Sequence, residues 1–448
     1  MSMNEALRDN NKNIFLSIEV IVFIILVINF VLTLQSAGTI LNKLLNFLIF
    51  LFAGLYILIS STTKKKIGFI IIKPIKEILL LSFIFFIIAS TLFSQIQYKE
   101  LGSTDYVYHD GAIQTEIAFD YIKSGKNPYS ETYYNTLLEE KEGYIFNGNW
   151  YLNPALEHYI YLPATFFISG SFNAIQKAIA GWSDLRILNF IYLLGSLIIL
   201  WKIVGNHPLR NLVIILFALN PFFLRYFLEG RNDIIVLFWI LAAFYLLLKN
   251  RFLISGLLFG IALSTKQFAW IFIPFILAFF MQKNSPDKKV STNNLLKFII
   301  PASIIAILFI TPFVIWDISS FIDDTILYAS GSSSGLNYPI TGYGFSQIVT
   351  FFGVQAEESF PFWIIMAAVG LPVLFFMLKR VRAKGTIESI IVNTTIFILF
   401  TFLFSRFLNN NYLAFISQLL IIWLAFILGG LKSETANKTQ IAKENLLE

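Results

Sequence analysis

An aspartate that opens an amphipathic helix inside a polar loop, in a chain that is otherwise mostly hydrocarbon, is a place for acid–base chemistry. The stretch Thr104 to Tyr129 reads TDYVYHDGAIQTEIAFDYIKSGKNPY and carries Asp105, Asp110, Glu116 and Asp120. From Asp110 onward the apolar positions Ile113, Ile117, Ala118, Tyr121 and Ile122 recur at helical spacing, and Gly125 ends the run before Asn127-Pro128. The pattern predicts a helix lying along a membrane surface rather than crossing it. Asp110 then has two readings, a general base for a substrate proton or the N-cap of that helix. Asp105 and Glu116 are the alternative acids. Further along, cations and amides stand at the ends of apolar runs: Arg186, Arg225, Arg231 with Asn232, Lys266 with Gln267, and Arg406 ahead of Asn409 to Asn411 and Tyr412. Ionisable groups at a bilayer edge are costly and face a cavity or a partner, so cations gathered from separate runs point to an anion, most simply a phosphate. Each also has a plainer reading: Arg231 can pair with Glu229 or Asp233, Arg186 with Asp184, and Lys266 can snorkel to the interface. No cofactor is assigned. The loop acids could offer hard oxygen ligands to a divalent metal, but acids spread along a helix read as a solvated face, and His109 beside Asp110 lacks a second ligand.

The elements that must position these groups are membrane helices. With 448 residues, 57% hydrophobic and 13% charged, and a mean hydropathy of +0.72, the chain has more apolar surface than one soluble core can hide. The fold class is an all-α polytopic membrane protein. Zero Cys excludes disulfides and thiolate chemistry. The net charge of +6 comes largely from loop lysines, which membrane orientation explains without nucleic acid. Apolar runs predict twelve spans, at about 14–34, 41–61, 77–95, 186–204, 209–228, 233–248, 252–265, 267–281, 297–316, 361–378, 388–405 and 412–430.

Lys/Arg clusters set the orientation. Lys64 to Lys66 with Lys73 and Lys76, Lys249 with Arg251, Lys283 with Lys288 and Lys289, and Lys379 to Lys384 should all be cytoplasmic, as should both termini. Residues 317–359 carry no Lys or Arg, only Asp317, Asp323, Asp324, Glu357 and Glu358, and should face the other side. Keeping this scheme requires the apolar piece Ala155 to Ile168 to be re-entrant or surface-lying, and requires 252–265 and 267–281 to form a hairpin with Lys266 at its tip. The organisation is a single membrane domain over 1–448: two additional spans in 1–76, a module over 77–281 with a non-cytoplasmic loop 96–185, and variable spans in 282–448 with the loop 317–359. The tract from Tyr144 to Tyr161, with Trp150, Tyr151, His158 and Tyr159, suits an interfacial aromatic belt or stacking platforms for a sugar ring. High Ile, Asn and Lys suggest a prokaryotic plasma membrane.

These residues resemble the GT-C superfamily of membrane glycosyltransferases. Asp110 lies fifteen residues before Gly125 in DGAIQTEIAFDYIKSG, an interval similar to that of lipid-A aminoarabinose transferases. The usual Asp-Glu pair is Asp110-Gly111 here. Tyr161-Leu162-Pro163 looks like a degenerate Tyr-Pro-Pro element. The runs NDIIVLFWILAAFYLL and RFLISGLLFGIALSTKQFAWIFIPF are similar to dolichol-phosphate-glucose-dependent glucosyltransferases, with Lys266-Gln267 in the matching position. The resemblance covers roughly 77–281, with Ser405-Arg406. It implies transfer of a hexose or pentose from a polyprenyl-phosphate donor to a glycan, lipid or protein acceptor at the non-cytoplasmic face, with inversion. Asp110 would be the base, and Lys266 and Arg231, with Arg186 or Arg406, would hold the phosphate. The competing class is a transporter or flippase of lipid-linked saccharides, which tends to show related halves; none is evident. A scaffold that only binds such saccharides would keep the cations without needing Asp110.

Overall fold

The computed structural model describes residues 18–30, 40–62, 66–100, 108–141, 143–146, 149–282, 288–355 and 358–444, so that Asp105, Lys64, Lys65, Lys283 and Glu357 lie outside it. The described residues are mostly helical, and helix runs through each of the twelve predicted stretches. Among the described residues, five helices are long and apolar enough to cross a membrane: Pro74–Gln97, Leu185–Val204, Thr292–Trp316, Phe362–Lys384 and Asn410–Leu431. A sixth span results if Arg210–Ala218 and Pro221–Leu228, bent by 46°, are taken together. Pro221 accounts for that bend, because it cannot donate to the preceding turn. The other apolar helices, Ile18–Phe30, Phe47–Ser60, Asp233–Leu248, Phe252–Thr265, Gln267–Phe280 and Ile387–Leu403, run 10–17 residues. At 1.5 Å per residue they reach at most about 26 Å, less than a hydrocarbon core of about 30 Å.

By contacts the chain forms two compact units, one drawn from 1–107, 193–228 and 421–448, the other from 108–192 and 229–420. In the first, buried charges are paired. Lys76 meets Glu19 at 2.7 Å, Glu19 also accepts the Tyr56 hydroxyl, and Arg210 pairs with Glu77 while its guanidinium lies 3.7 Å over the Trp201 ring. Pairing is what makes such groups tolerable away from water. Arg225 belongs to this unit and is exposed.

The second unit is built on a helical hairpin. Phe252–Thr265 ends at Lys266, whose backbone is extended (φ −152°, ψ 141°), and Gln267–Phe272 continues as a tight 3-10 turn into Ile273–Phe280. The rings of Phe252 and Phe280 lie 6.0 Å apart, so the two arms are antiparallel with Lys266 at the tip, as the charge pattern requires. Lys249 and Arg251 stand at the foot, where Arg382 also donates to the Met281 carbonyl at 2.8 Å. Gly256 and Gly260 let the first arm pack backbone to backbone on Lys288–Trp316: a Cβ at either would collide with the carbonyl of Phe298 or Ala302. This is the small-residue spacing that membrane helices use for close approach.

Around the tip sit the two predicted loops, tied to each other. The helix Asp110–Lys123 packs on Pro163–Ala180, where Gly170 leaves room for the Phe119 ring. Pro163–Ala180 begins on a proline, whose missing N–H costs nothing in the first turn, and ends at Gly181 with φ 79°. It is not among the helices apolar enough to cross a membrane. A two-stranded antiparallel hairpin, Gly143–Phe146 with Asn149–Leu152, and a short parallel pair, Thr341–Gly342 with Phe407–Leu408, interrupt the mostly helical architecture. Tyr129, Tyr133, Tyr159 and Phe166 are buried against one another, and Tyr129 meets Phe313 and Phe321, and Phe166 meets Phe313, edge to face. The aromatic tract is therefore largely core at its C-terminal end, whereas Trp150 is 60% exposed.

Candidate active site

Asp110 is the first residue of its helix, and the cap is its neighbour. His109 has extended backbone, and its Nδ1 accepts the Gly111 N–H at 2.9 Å. The capping role that the sequence allowed for Asp110 falls to His109, leaving Asp110 at the positive end of the helix dipole. One Asp110 oxygen accepts the same Gly111 N–H at 2.7 Å and lies 3.0 Å from His109 Nδ1. The other accepts from Asn153 Nδ2 at 3.1 Å. The carboxyl stays 31% exposed. Burial works to raise its pKa, but His109, the Asn153 hydrogen bond and the Arg231 charge outweigh it and hold the group below the usual carboxylate range. It is an anion at neutral pH.

The segment 229–233 brings cations to this anion. The His109 N–H donates to the Glu229 carbonyl at 2.8 Å. Gly230, with φ +88°, lets the chain turn against Tyr108, and Asn189 donates to the Arg231 carbonyl at 2.9 Å. Arg231 Nε pairs with Glu229 at 3.1 Å. Burial disfavours its charge, but Glu229, then Asp110 and Asp233, more than compensate. At the hairpin tip Lys266 Nζ meets Asp233 at 2.5 Å and Asn232 Oδ1 at 3.3 Å. Two of the three ammonium donors are thereby engaged.

Tyr161 stands between the acid and the lysine. Its ring centroid is 5.6 Å from Lys266 Nζ, and its hydroxyl sits where a Cβ on residue 111 would be. That contact explains why a glycine follows Asp110: the space is filled. Gly111→Ala should therefore lower the unfolding temperature, by about 1–3 kcal/mol of overpacking. The double variant Gly111→Ala/Tyr161→Phe, which removes the nearest atom, should recover most of it in the same thermal melt. A small hollow, partly open to solvent, is lined by His109, Gly111, Tyr161, Asn189, Arg231 and Asn232 among others.

The remaining sequence candidates are placed elsewhere or otherwise engaged. Arg186 is fully buried, bonded to Asp184 at 2.7 Å and set 5.0 Å over the Tyr108 ring. Arg406, 2% exposed, donates to the carbonyls of Tyr338 and Glu358. Gln267 donates to the carbonyls of Ile160 and Thr325 at 2.8 and 3.1 Å. Arg186 is thus held by a carboxylate and a ring, and Arg406 and Gln267 tie backbone segments together, whereas Arg231 and Lys266, with Asn232, stand near Tyr161. Glu116 accepts the Tyr108 hydroxyl at 2.5 Å, and six residues along the helix it points roughly 120° away from Asp110 at 100° per residue. Asp120 is exposed and paired with Lys123 at 2.5 Å.

A family model described as Glycosyltransferase family 87 matches residues 159–406, more than half of the chain. The chain belongs to glycosyltransferase family 87. No curated protein and no solved structure matches it. Family 87 is a GT-C-type membrane glycosyltransferase family, so the resemblance read from Asp110, Tyr161 and Lys266-Gln267 has its outcome, and this protein is a membrane glycosyltransferase. The matched span holds Tyr161, Arg231, Asp233 and Lys266, whereas Asp110 lies ahead of it. Sequence reasoning about this family 87 chain missed Asn153 as a partner of the acid. The signal was present in Asn153-Pro154, an Asx-Pro pair of the kind that fixes a tight turn and turns a side-chain amide toward nearby groups.

Proposed function

We propose that this family 87 glycosyltransferase takes a sugar from a polyprenyl-phosphate donor and passes it, with inversion, to an acceptor hydroxyl at the non-cytoplasmic face of a twelve-span membrane domain. The observation that carries the reading is the grouping of an ionised Asp110 with Arg231 and Lys266 about Tyr161, at the hairpin end opposite Lys249, Arg251 and Arg382. Basic residues at one end and the polar cluster at the other fit a site facing away from the cytoplasm.

In one displacement the acceptor oxygen bonds to the anomeric carbon and gives its proton to Asp110. The bond from that carbon to the phosphate oxygen breaks, with the electron pair leaving on phosphate. The donor is a phosphodiester with one negative charge, and the departing monoester gains a second. Two cations, Arg231 and Lys266, face three carboxylates, Asp110, Glu229 and Asp233. Such a cluster is not a strong trap for a resting anion. It is suited to charge that grows during reaction, where fixed donors in a dry site contribute most.

A carboxylate held as low as Asp110 is a weak base in the free protein. Burial is the largest influence on it and acts upward, so an acceptor that closes the site over it would strengthen it. The sign of the pH dependence follows. With its folded pKa depressed below 3.8, Asp110 adds stability above that pH, lost as pH falls through the folded value. The acid limb of kcat/KM due to this group should lie below about pH 4, read from a pH–rate profile of purified protein.

Incubating the purified protein with radiolabelled polyprenyl-phosphate sugars tests the reading. Release of polyprenyl phosphate with label passed to an acceptor supports it. Label moved across a proteoliposome without cleavage of the donor would instead mark a flippase.

A further inference from the structure

A second polar cluster lies apart from the acid and the cations, where the two loops meet. His158, Asp323 and Asp324 present one imidazole nitrogen and two carboxylate oxygens that all lie within 4.8 Å of one another. His158 Nδ1 is 2.8 Å from Asp324 and 3.7 Å from Asp323. The carboxylates come from the first two residues of Asp323–Leu327, a π-helical turn of the kind found frequently at functional sites.

Charge and second-layer bonding both point to a cation. Glu157, at the rim, adds a third acid, accepting the Leu336 N–H at 2.9 Å. Among the described residues no Lys or Arg pairs with Glu157, Asp323 or Asp324, and His158 is the only ion-pair partner of the two aspartates. One imidazole shared by two carboxylates, with a third acid beside them, leaves net negative charge in a largely buried setting that a cation would offset. The outer bonds are those that orient metal ligands. The Tyr159 N–H holds Asp324 Oδ2 at 2.8 Å, leaving Oδ1 turned to His158. Ser333 Oγ donates to Asp323 at 2.7 Å and lies 3.3 Å from His158 Nε2, where it can accept a hydrogen bond from Nε2–H once Nδ1 gives its lone pair to a metal.

We propose that His158, Asp323 and Asp324 form a site for a divalent transition cation, Zn2+ or Mn2+, that clamps residues 317–340 onto residues 153–162. The imidazole favours these ions over Mg2+ or Ca2+, which prefer all-oxygen shells. Donors sharing one ion at about 2.1 Å sit about 3.0–3.4 Å apart, so the cluster reaches binding geometry through side-chain shifts alone. The clamp abuts the catalytic loop: Gln114 donates to the Ala155 and His158 carbonyls at 2.6 and 2.7 Å, and Asn153 bonds to Asp110.

The test is metal content and thermal unfolding of the detergent-purified full chain. After EDTA and desalting, adding Zn2+ or Mn2+ should restore roughly one ion per chain and raise the unfolding temperature by about 5 °C, with Mg2+ giving little. Asp323→Asn, which can still accept from Ser333, should fold and lose both effects; His158→Gln should do the same. Manganese paramagnetic resonance on the wild-type chain gives a readout that no variant's folding can confound. Substoichiometric metal with no shift in the wild type, or equal uptake by Asp323→Asn, would overturn the site and leave a His–Asp hydrogen-bonded strap in its place.

Discussion

Asp110→Asn should abolish turnover, with kcat falling by about 10³-fold, in the middle of the range for loss of a general base. The substitution keeps shape, keeps the Gly111 N–H contact at one oxygen, and removes the charge and the capacity to take a proton. Because Asp110 touches neither Glu229 nor Asp233, the Arg231 and Lys266 pairs should survive, and donor affinity should change little. Single-turnover rates with labelled donor, set beside equilibrium donor binding, make the check. Near wild-type transfer would show that another group takes the proton.

The second large effect is at Lys266, where structure and function must be separated. Lys266 and Asp233 are 12% and 6% exposed, so removing the ammonium strands a buried carboxylate, a change that costs about 3–5 kcal/mol. Lys266→Met alone should therefore be both unstable and inactive, which says little. In Lys266→Met/Asp233→Asn the stranded charge is gone, and thermal stability should return to within about 1 kcal/mol of wild type. Activity should not return, because the cation that meets the growing phosphate charge is still missing, a loss on the order of 10²-fold or more. A double variant that is both stable and active would reduce Lys266 to a structural partner of Asp233.

Much of this arrangement was legible in the sequence because it follows from periodicity and charge. The helix at Asp110 and its end near Gly125 came from apolar spacing. The hairpin tip at Lys266 came from requiring Lys249, Arg251 and the cluster after Met281 to share one side, and the Phe252–Phe280 contact bears it out. Ala155 to Ile168 was read as one apolar piece. The chain instead turns through Pro154–Leu156, is fixed at Tyr159 and Tyr161, and starts a helix only at Pro163 that runs to Ala180. Proline and buried tyrosines, not hydropathy, decide that break.

What one-dimensional spacing could not supply was how deeply each pair is buried and which distant groups the remaining charges meet. Arg186 with Asp184 and Arg231 with Glu229 are both two-residue separations of the same kind, yet the first is sealed at 0% exposure and the second keeps 25%. The difference comes from Tyr108 and Gly230, which close over Arg186 from another part of the chain. Arg406 reads as a phosphate ligand until its guanidinium is seen holding carbonyls some 48 and 68 residues distant. The grouping of His158 with Asp323 and Asp324 left no local pattern because those partners lie 165 and 166 residues away.

The central claim is that one bound donor spans Asp110 and the Lys266–Arg231 pair, and a density map of Asp110→Asn with a polyprenyl-phosphate sugar tests it most directly. The account places the phosphate within hydrogen-bond reach of Lys266 or Arg231, and the anomeric carbon facing residue 110 beside Tyr161. A phosphate seated at the other end of the hairpin, near Lys249 and Arg382, would contradict it.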